Sequence, residues 1–384
     1  MSYRVLWWLA AVAPLACGRA AESQQPLGQC GQGTGANAAA GGGAGVAVGG
    51  SAAEQSGAGG TGGATPNVNG DAGEAGSAGS EGGAGTQALP LEHASCQQLV
   101  LSCGSAQTSC CEATELPGGA FARYGGGQAS VSDFRLDKYE VTVGRFRAFV
   151  EHYASAQPTA QAGKNPHDAQ DHGWDPSWNE QLLASAPELS DALYCSLRLA
   201  TWGEQPADDE NRPINCLTWY EAQAFCIWDG GRLPSDLEWE YAAQGGSEGR
   251  PFPWGNAGEP IPHAFANCRN GCNASPQSPE CKGLAQIWRV GSAPGGNGRW
   301  GQSDLAGNLW EYTLDYFGPA LACADCARHI PQPPGTGERA THVSRGGSYN
   351  MDLGDGLVNR DFYYPSGPRA PNLGFRCAYD AKPK

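Results

Sequence analysis

The chain has 384 residues and a formal net charge of −15, enough length for one large domain with appendages and too acidic, with nothing basic clustered, for a nucleic-acid partner. Its 57 Gly and 12 Trp are unevenly spread: much of the glycine precedes Gln87 and most of the tryptophan follows residue 170, which predicts one flexible region and one packed region. Fifteen Cys are more than a cytosolic protein carries without metal sites, and they point to an exported protein that pairs its thiols.

Met1-Ser-Tyr-Arg4 is a short positive start, and Val5–Leu15 is an apolar run too short to span a bilayer. Residues 1–16 therefore read as a signal peptide. Leu15-Ala16-Cys17-Gly18 resembles a bacterial lipoprotein processing box, with Pro14 where Leu is usual. The expectation is a lipid on Cys17, membrane attachment by that lipid anchor alone, and a place in the bacterial cell envelope. Residues 17–92 are rich in Gly, Ala and Ser with almost no large apolar side chain, so they are expected to form a disordered tether. Cys96, Cys103, Cys110 and Cys111 make residues 93–113 a small Cys-rich segment ahead of a main domain over 114–384. Only His93 accompanies those thiols, which favours disulfides over zinc.

Within the main domain, Val131–Tyr139 reads as a strand. Thr142 is placed to cap a helix whose Val143, Phe146, Phe149 and Val150 share one face. Residues 154–212 are polar and irregular. His167, Asp168, Asp171 and His172 there could suggest a metal, but a solvated loop is the simpler reading, since no regular element would hold ligands rigid. Pro213–Gly246 is the most specific block. Thr218 with Glu221 and Ser235 with Glu238 form two capping boxes, and Gly230 and Gly245 stand where the two helices end. Helices are predicted near 219–229 and 236–244.

Downstream, Asp304-Leu-Ala-Gly307-Asn308-Leu309-Trp310-Glu311 places two carboxylates around a Gly-Asn turn, the hard oxygen chemistry that Ca²⁺ takes. Cys323-Ala-Asp-Cys326 lies in an insert, Phe317–Arg339, and reads as a structural loop disulfide. His342-Val343 leads as a short strand into Arg345-Gly346-Gly347-Ser348-Tyr349, where the glycines allow a sharp turn or close approach. Asn372-Leu-Gly-Phe-Arg376-Cys377 follows near the end.

These segments together resemble the sulfatase-modifying-factor family, the formylglycine-generating enzymes. The resemblance rests on the Glu140-Val-Thr142 helix start, Thr218–Cys226, Arg232-Leu-Pro-Ser-Asp-Leu-Glu-Trp-Glu-Tyr241, the Asp304–Glu311 run, Arg345–Tyr349 and Asn372–Cys377. It implies an α+β, irregular, loop-rich domain of C-type-lectin-like character. It implies a disulfide between Cys226 and Cys377, a calcium ion at Asp304, Gly307, Leu309 and Glu311, and a substrate groove at Arg345, Gly346, Gly347, Ser348 and Tyr349. In the family two copper-binding cysteines follow the Ser by three and eight places. Here those places hold Met351 and Gly356. No catalytic residue is assigned, copper is not expected, and the resemblance implies a non-catalytic member that binds a peptide, protein or glycan. The alternative is an oxidoreductase of the family, converting a sulfatase cysteine to formylglycine or performing a related metal-dependent oxidation.

Overall fold

The computed structural model describes residues 93–97, 99–256, 265–269, 277–330, 341–352 and 362–383. The expected signal peptide (1–16), the whole 17–92 tether with Cys17, and Gly356 lie outside the described residues. The strands are β1 (Ser102–Cys103), β2 (Thr108–Ser109), β3 (Ala113–Leu116), β4 (Gly119–Ala122), β5 (Gln128–Val131), β6 (Phe134–Asp137), β7 (Trp310–Tyr316), β8 (Thr341–Arg345), β9 (Phe362–Pro365), β10 (Leu373–Gly374) and β11 (Ala378–Asp380). The α-helices are α1 (Val143–Glu151), α2 (Ala186–Ala192), α3 (Trp219–Trp228) and α4 (Asp236–Ala243). Long irregular connections join them, so the architecture is α+β and loop-rich.

The helix starts follow from their caps. The Thr142 hydroxyl accepts from the Arg145 amide. Both capping boxes close reciprocally: Thr218 with Glu221 starts α3, and Ser235 with Glu238 starts α4. Each satisfies backbone donors that a helix start leaves open, an effect worth about 1 kcal/mol per cap. Gly230 and Gly245 follow the two helices with φ of 90° and 66°, conformations in which glycine carries no Cβ penalty.

The largest sheet has the order β10-β7-β8-β9; β10 runs parallel to β7 and the other pairs are antiparallel. A second sheet is β11-β6-β3, and β4 pairs with β5. The single strand expected over 131–139 is instead two strands in different sheets. The break falls at Ser132-Asp133, where Asp133 accepts from the Gly118 amide and Ser132 donates to Asp325. Those tertiary bonds turn the chain from one sheet to the next.

The main core lies where α1 and α3 meet β7, β10 and the C-terminal segment. Phe146, Phe149, Trp219, Phe225, Trp310, Tyr312, Leu373 and Phe375 are all buried there, at roughly 1.5–3 kcal/mol for each large apolar side chain. Cys226 and Cys377 are disulfide-bonded within it. The Cys-rich segment is closed by Cys96–Cys111 and Cys103–Cys110. It docks through Ser95, whose amide donates to Asp229 and whose hydroxyl accepts from Arg145. Arg145 is fully buried and pairs with Asp137 and Asp229.

Candidate functional site

The Asp304–Glu311 run and the Arg345–Tyr349 run form one body. The Gly307 amide donates to the Gly346 carbonyl, and the Tyr349 amide to the Asn308 carbonyl, each at 2.9 Å. Gly307 has φ 84°, and a Cβ there would lie 2.2 Å from the Asn267 carbonyl oxygen, so only glycine fits. Asn308 is buried under the turn. Its side chain accepts from Asn267 and the Trp288 amide and donates to Glu140 at 2.6 Å.

Three buried carboxylates lie around this turn. Glu140 accepts from the Leu309 amide and Asn308, Asp304 accepts from the Gly291 amide at 2.6 Å, and Glu311 receives both Arg376 and the Trp239 indole. Burial raises Glu140 well above the usual carboxylate range, with Asp304 and Glu311 adding to it. Burial likewise pushes Asp304 up to about 6. Arg376 is the cation set against them. Among the described residues no three His, Cys, Asp or Glu side chains converge as a metal-holding group. A cation at this run would therefore draw on main-chain oxygens as well. The sequence marked Asp304 and Glu311 but missed Glu140, which reads locally as part of a helix start.

The expected groove residues are buried: Arg345, Gly346, Gly347, Ser348 and Tyr349 all lie inside the surface. The Ser348 hydroxyl donates to Asn350. Arg345 and Arg123 interleave with Asp236 and Glu240, with Arg345 Nε 2.5 Å from Asp236 and Arg123 Nη2 2.6 Å from both acids. Burial alone would raise the Asp236 carboxyl, and the two guanidiniums reverse this and hold it below its ordinary value. Asp236 and Glu240 face one way because they sit one turn apart on α4. Arg345 borders a cavity of about 230 Å³ shared with Arg123, Asp236, Asp315, Tyr316 and Arg328. Met351, at the place of the family's first thiol, is half-buried and packs against the main core. Its amide donates to the Ser348 carbonyl and its carbonyl accepts from the Arg269 amide.

Most of the 154–212 stretch is exposed, as a solvated loop would be, although it contains a regular element, α2. Asp168 and Asp171 are buried, and Asp168 is 2.7 Å from His329 Nε2 of the insert. His172 is exposed. Cys323 and Cys326 are bonded to each other, and Cys195 to Cys216.

Residues 97–381 match the profile of the sulfatase-modifying factor enzyme 1-like domain. The chain is 33% identical over 298 residues to a formylglycine-generating enzyme of Streptomyces coelicolor, covering 69% of this chain and 88% of the relative. It is 28% identical over 311 residues to the inactive C-alpha-formylglycine-generating enzyme 2 of Bos taurus, covering 73% and 91%. Among solved structures, PvdO from Pseudomonas aeruginosa aligns with a TM-score of 0.47 and 18% identity, over 70% of this chain and 94% of that one. The chain belongs to the sulfatase-modifying-factor family, whose members include formylglycine-generating enzymes.

Proposed function

We propose that this chain is an extracytoplasmic, ligand-binding member of the family that does not make formylglycine. The observation that carries the reading is Met351. A thioether binds Cu(I) weakly and cannot act as the thiolate that would hold copper and receive a substrate thiol. Gly356, at the second thiol's place, has no side chain to offer.

Five disulfides join described residues: Cys96–Cys111, Cys103–Cys110, Cys195–Cys216, Cys226–Cys377 and Cys323–Cys326. They support an oxidising compartment, and lipid attachment at Cys17 adds the anchor on sequence grounds. The cavity beside Arg345 is the place for a peptide, protein or glycan group. A structural calcium ion at the Asp304–Glu311 run would offset the cost that burial places on ionising Glu140 and Asp304, beside which Arg376 is the protein's own cation. The Asp304 carboxylate and the carbonyls of Gly307 and Leu309 would hold it. Glu311, already engaged by Arg376, adds negative field beside them. Calcium there would supply positive charge to the buried carboxylates and fix the turn.

The test is to load the purified chain with Cu(I), offer a Cys-x-Pro-x-Arg peptide under O₂, and search by mass spectrometry for the aldehyde. No protein-dependent aldehyde is expected. Turnover that needs both copper and this protein would overturn the reading and make the chain an oxidase.

A further inference from the structure

A second cavity, of about 120 Å³, is bordered by Trp178, Trp219, Tyr316, Asp171, Asp175 and His329, with none of Arg345–Tyr349 in its wall. Its composition differs in kind from the arginine-rich cavity beside Arg345. The geometry points to this cavity as a binding site for a compact alkylammonium head group.

The aromatic walls are fixed in place. Trp178 and Trp219 meet at 88° with centroids 5.3 Å apart, so their rings form a corner. The Trp219 indole N–H already donates to the Thr313 carbonyl at 2.8 Å, which leaves that residue a ring surface as its means of recognition. The His342 imidazole lies between Trp219 and Tyr316, stacked on the first at 3.9 Å and on the second at 4.1 Å, and so braces one face of each ring.

The charge is fixed as well. Asp171 is buried and held by the Asn165 and Gly173 amides, each at 2.7 Å. Gly173 takes φ 65°, and a Cβ there would lie 2.5 Å from the Gln161 carbonyl, so this loop has one backbone solution. Asp175 is exposed, and the Ser177 amide holds its carboxyl below the usual range, so it is ionised. No Lys or Arg borders the cavity, and its basic side chains are His172 and His329, the latter hydrogen-bonded to Asp168.

Ring faces carry negative quadrupole potential, and two carboxylates add to it in the same small space. That combination attracts a weakly hydrated organic cation and repels anions. A neutral sugar can stack on the same rings but gains no Coulombic attraction from the two carboxylates. The head group could belong to a free metabolite or be carried on a peptide or lipid, and all three present the same chemistry. The inference is independent of the copper reading, since it uses none of the same residues.

The test is calorimetric titration of the full chain with choline and with its neutral isostere 3,3-dimethylbutan-1-ol. Choline is expected to bind at least about tenfold more tightly than the isostere. Asp175→Asn, at an exposed position with the cap geometry retained, should weaken choline roughly three- to tenfold. Trp178→Leu should abolish it, with circular dichroism confirming the fold; should that variant not fold, Asp175→Asn and the isostere decide. Phosphocholine and a trimethyllysine peptide serve as further ligands, and the tightest of the three cations identifies the source. Equal binding of choline and isostere, stronger binding of glucose than choline, or no binding by any of the three cations would overturn the inference.

Discussion

Arg376 grips Glu311 with two charge-assisted hydrogen bonds, Nη2 to Oε1 at 2.6 Å and Nε to Oε2 at 2.7 Å, and neither side chain reaches solvent. The same guanidinium donates to the carbonyls of Asp137, Lys138 and Ser303. One side chain thus ties the C-terminal segment, the end of β6 and the carboxylate run together. Removing one partner of a buried pair leaves an uncompensated charge, at about 3–5 kcal/mol. Arg376→Met should lose roughly that much stability by urea denaturation. A midpoint equal to that of the parent chain would show that the pair is dispensable.

Cys226 on α3 and Cys377 beside β11 close a loop with a sequence separation of 151. Constraining so long a loop in the unfolded chain stabilises the folded one, and losing a native disulfide costs about 2–5 kcal/mol. Cys226→Ser with Cys377→Ser should melt earlier by that amount. Peptide mapping without reduction should recover the linked pair from the parent chain, and either thiol found free would refute the pairing.

What the sequence made legible was local. Both capping boxes announce themselves within four residues, and α3 and α4 start where Thr218 and Ser235 place them. The Asp304–Glu311 and Arg345–Tyr349 runs could each be picked out as segments. Their contact could not be, because the Gly307–Gly346 bond joins backbone groups that leave no side-chain signature. Arg123 with Glu240 and Asp168 with His329 are separated by 117 and 161 positions, beyond any periodicity. The break at Ser132 was missed for a related reason: the alternating pattern of 131–139 is real, but the partner Asp325 that bends it lies in the insert.

His342 supplies a pH-dependent contribution to stability. Its imidazole is fully buried between Trp219 and Tyr316. Burial lowers its pKa well below 6.5. The folded chain therefore keeps it neutral while the unfolded chain takes up a proton below pH 6.5. Stability from this group is present above pH 6.5 and declines as pH falls, with a limiting slope of about 1.4 kcal/mol per pH unit. His342→Phe keeps an aromatic ring in the stack and removes the titration, giving up the hydrogen bond between Nδ1 and Ser366. Its urea midpoint should vary less between pH 6.5 and 5 than that of the parent. Parallel pH profiles for the two proteins would rule out His342 as the source.

Calcium provides the last test, and the structure decides which variant to use. Glu311→Ala would remove the partner of Arg376, so it lowers stability with or without metal. Asp304 is the cleaner probe. Its carboxylate accepts from the Gly291 amide, and it stands at the head of the turn whose Gly307 and Leu309 carbonyls would complete the site. Calcium at about 100 times its Kd should add about 2.7 kcal/mol to the folded state, several degrees of Tm for a domain of this size. A chelator should reverse that gain. Asp304→Asn should melt at the same temperature in calcium and in chelator, whereas Glu311→Gln should melt lower than the parent in both. Identical melting of the parent chain in excess calcium and in chelator would sink the calcium assignment and leave Arg376 as the counter-charge for the three buried carboxylates.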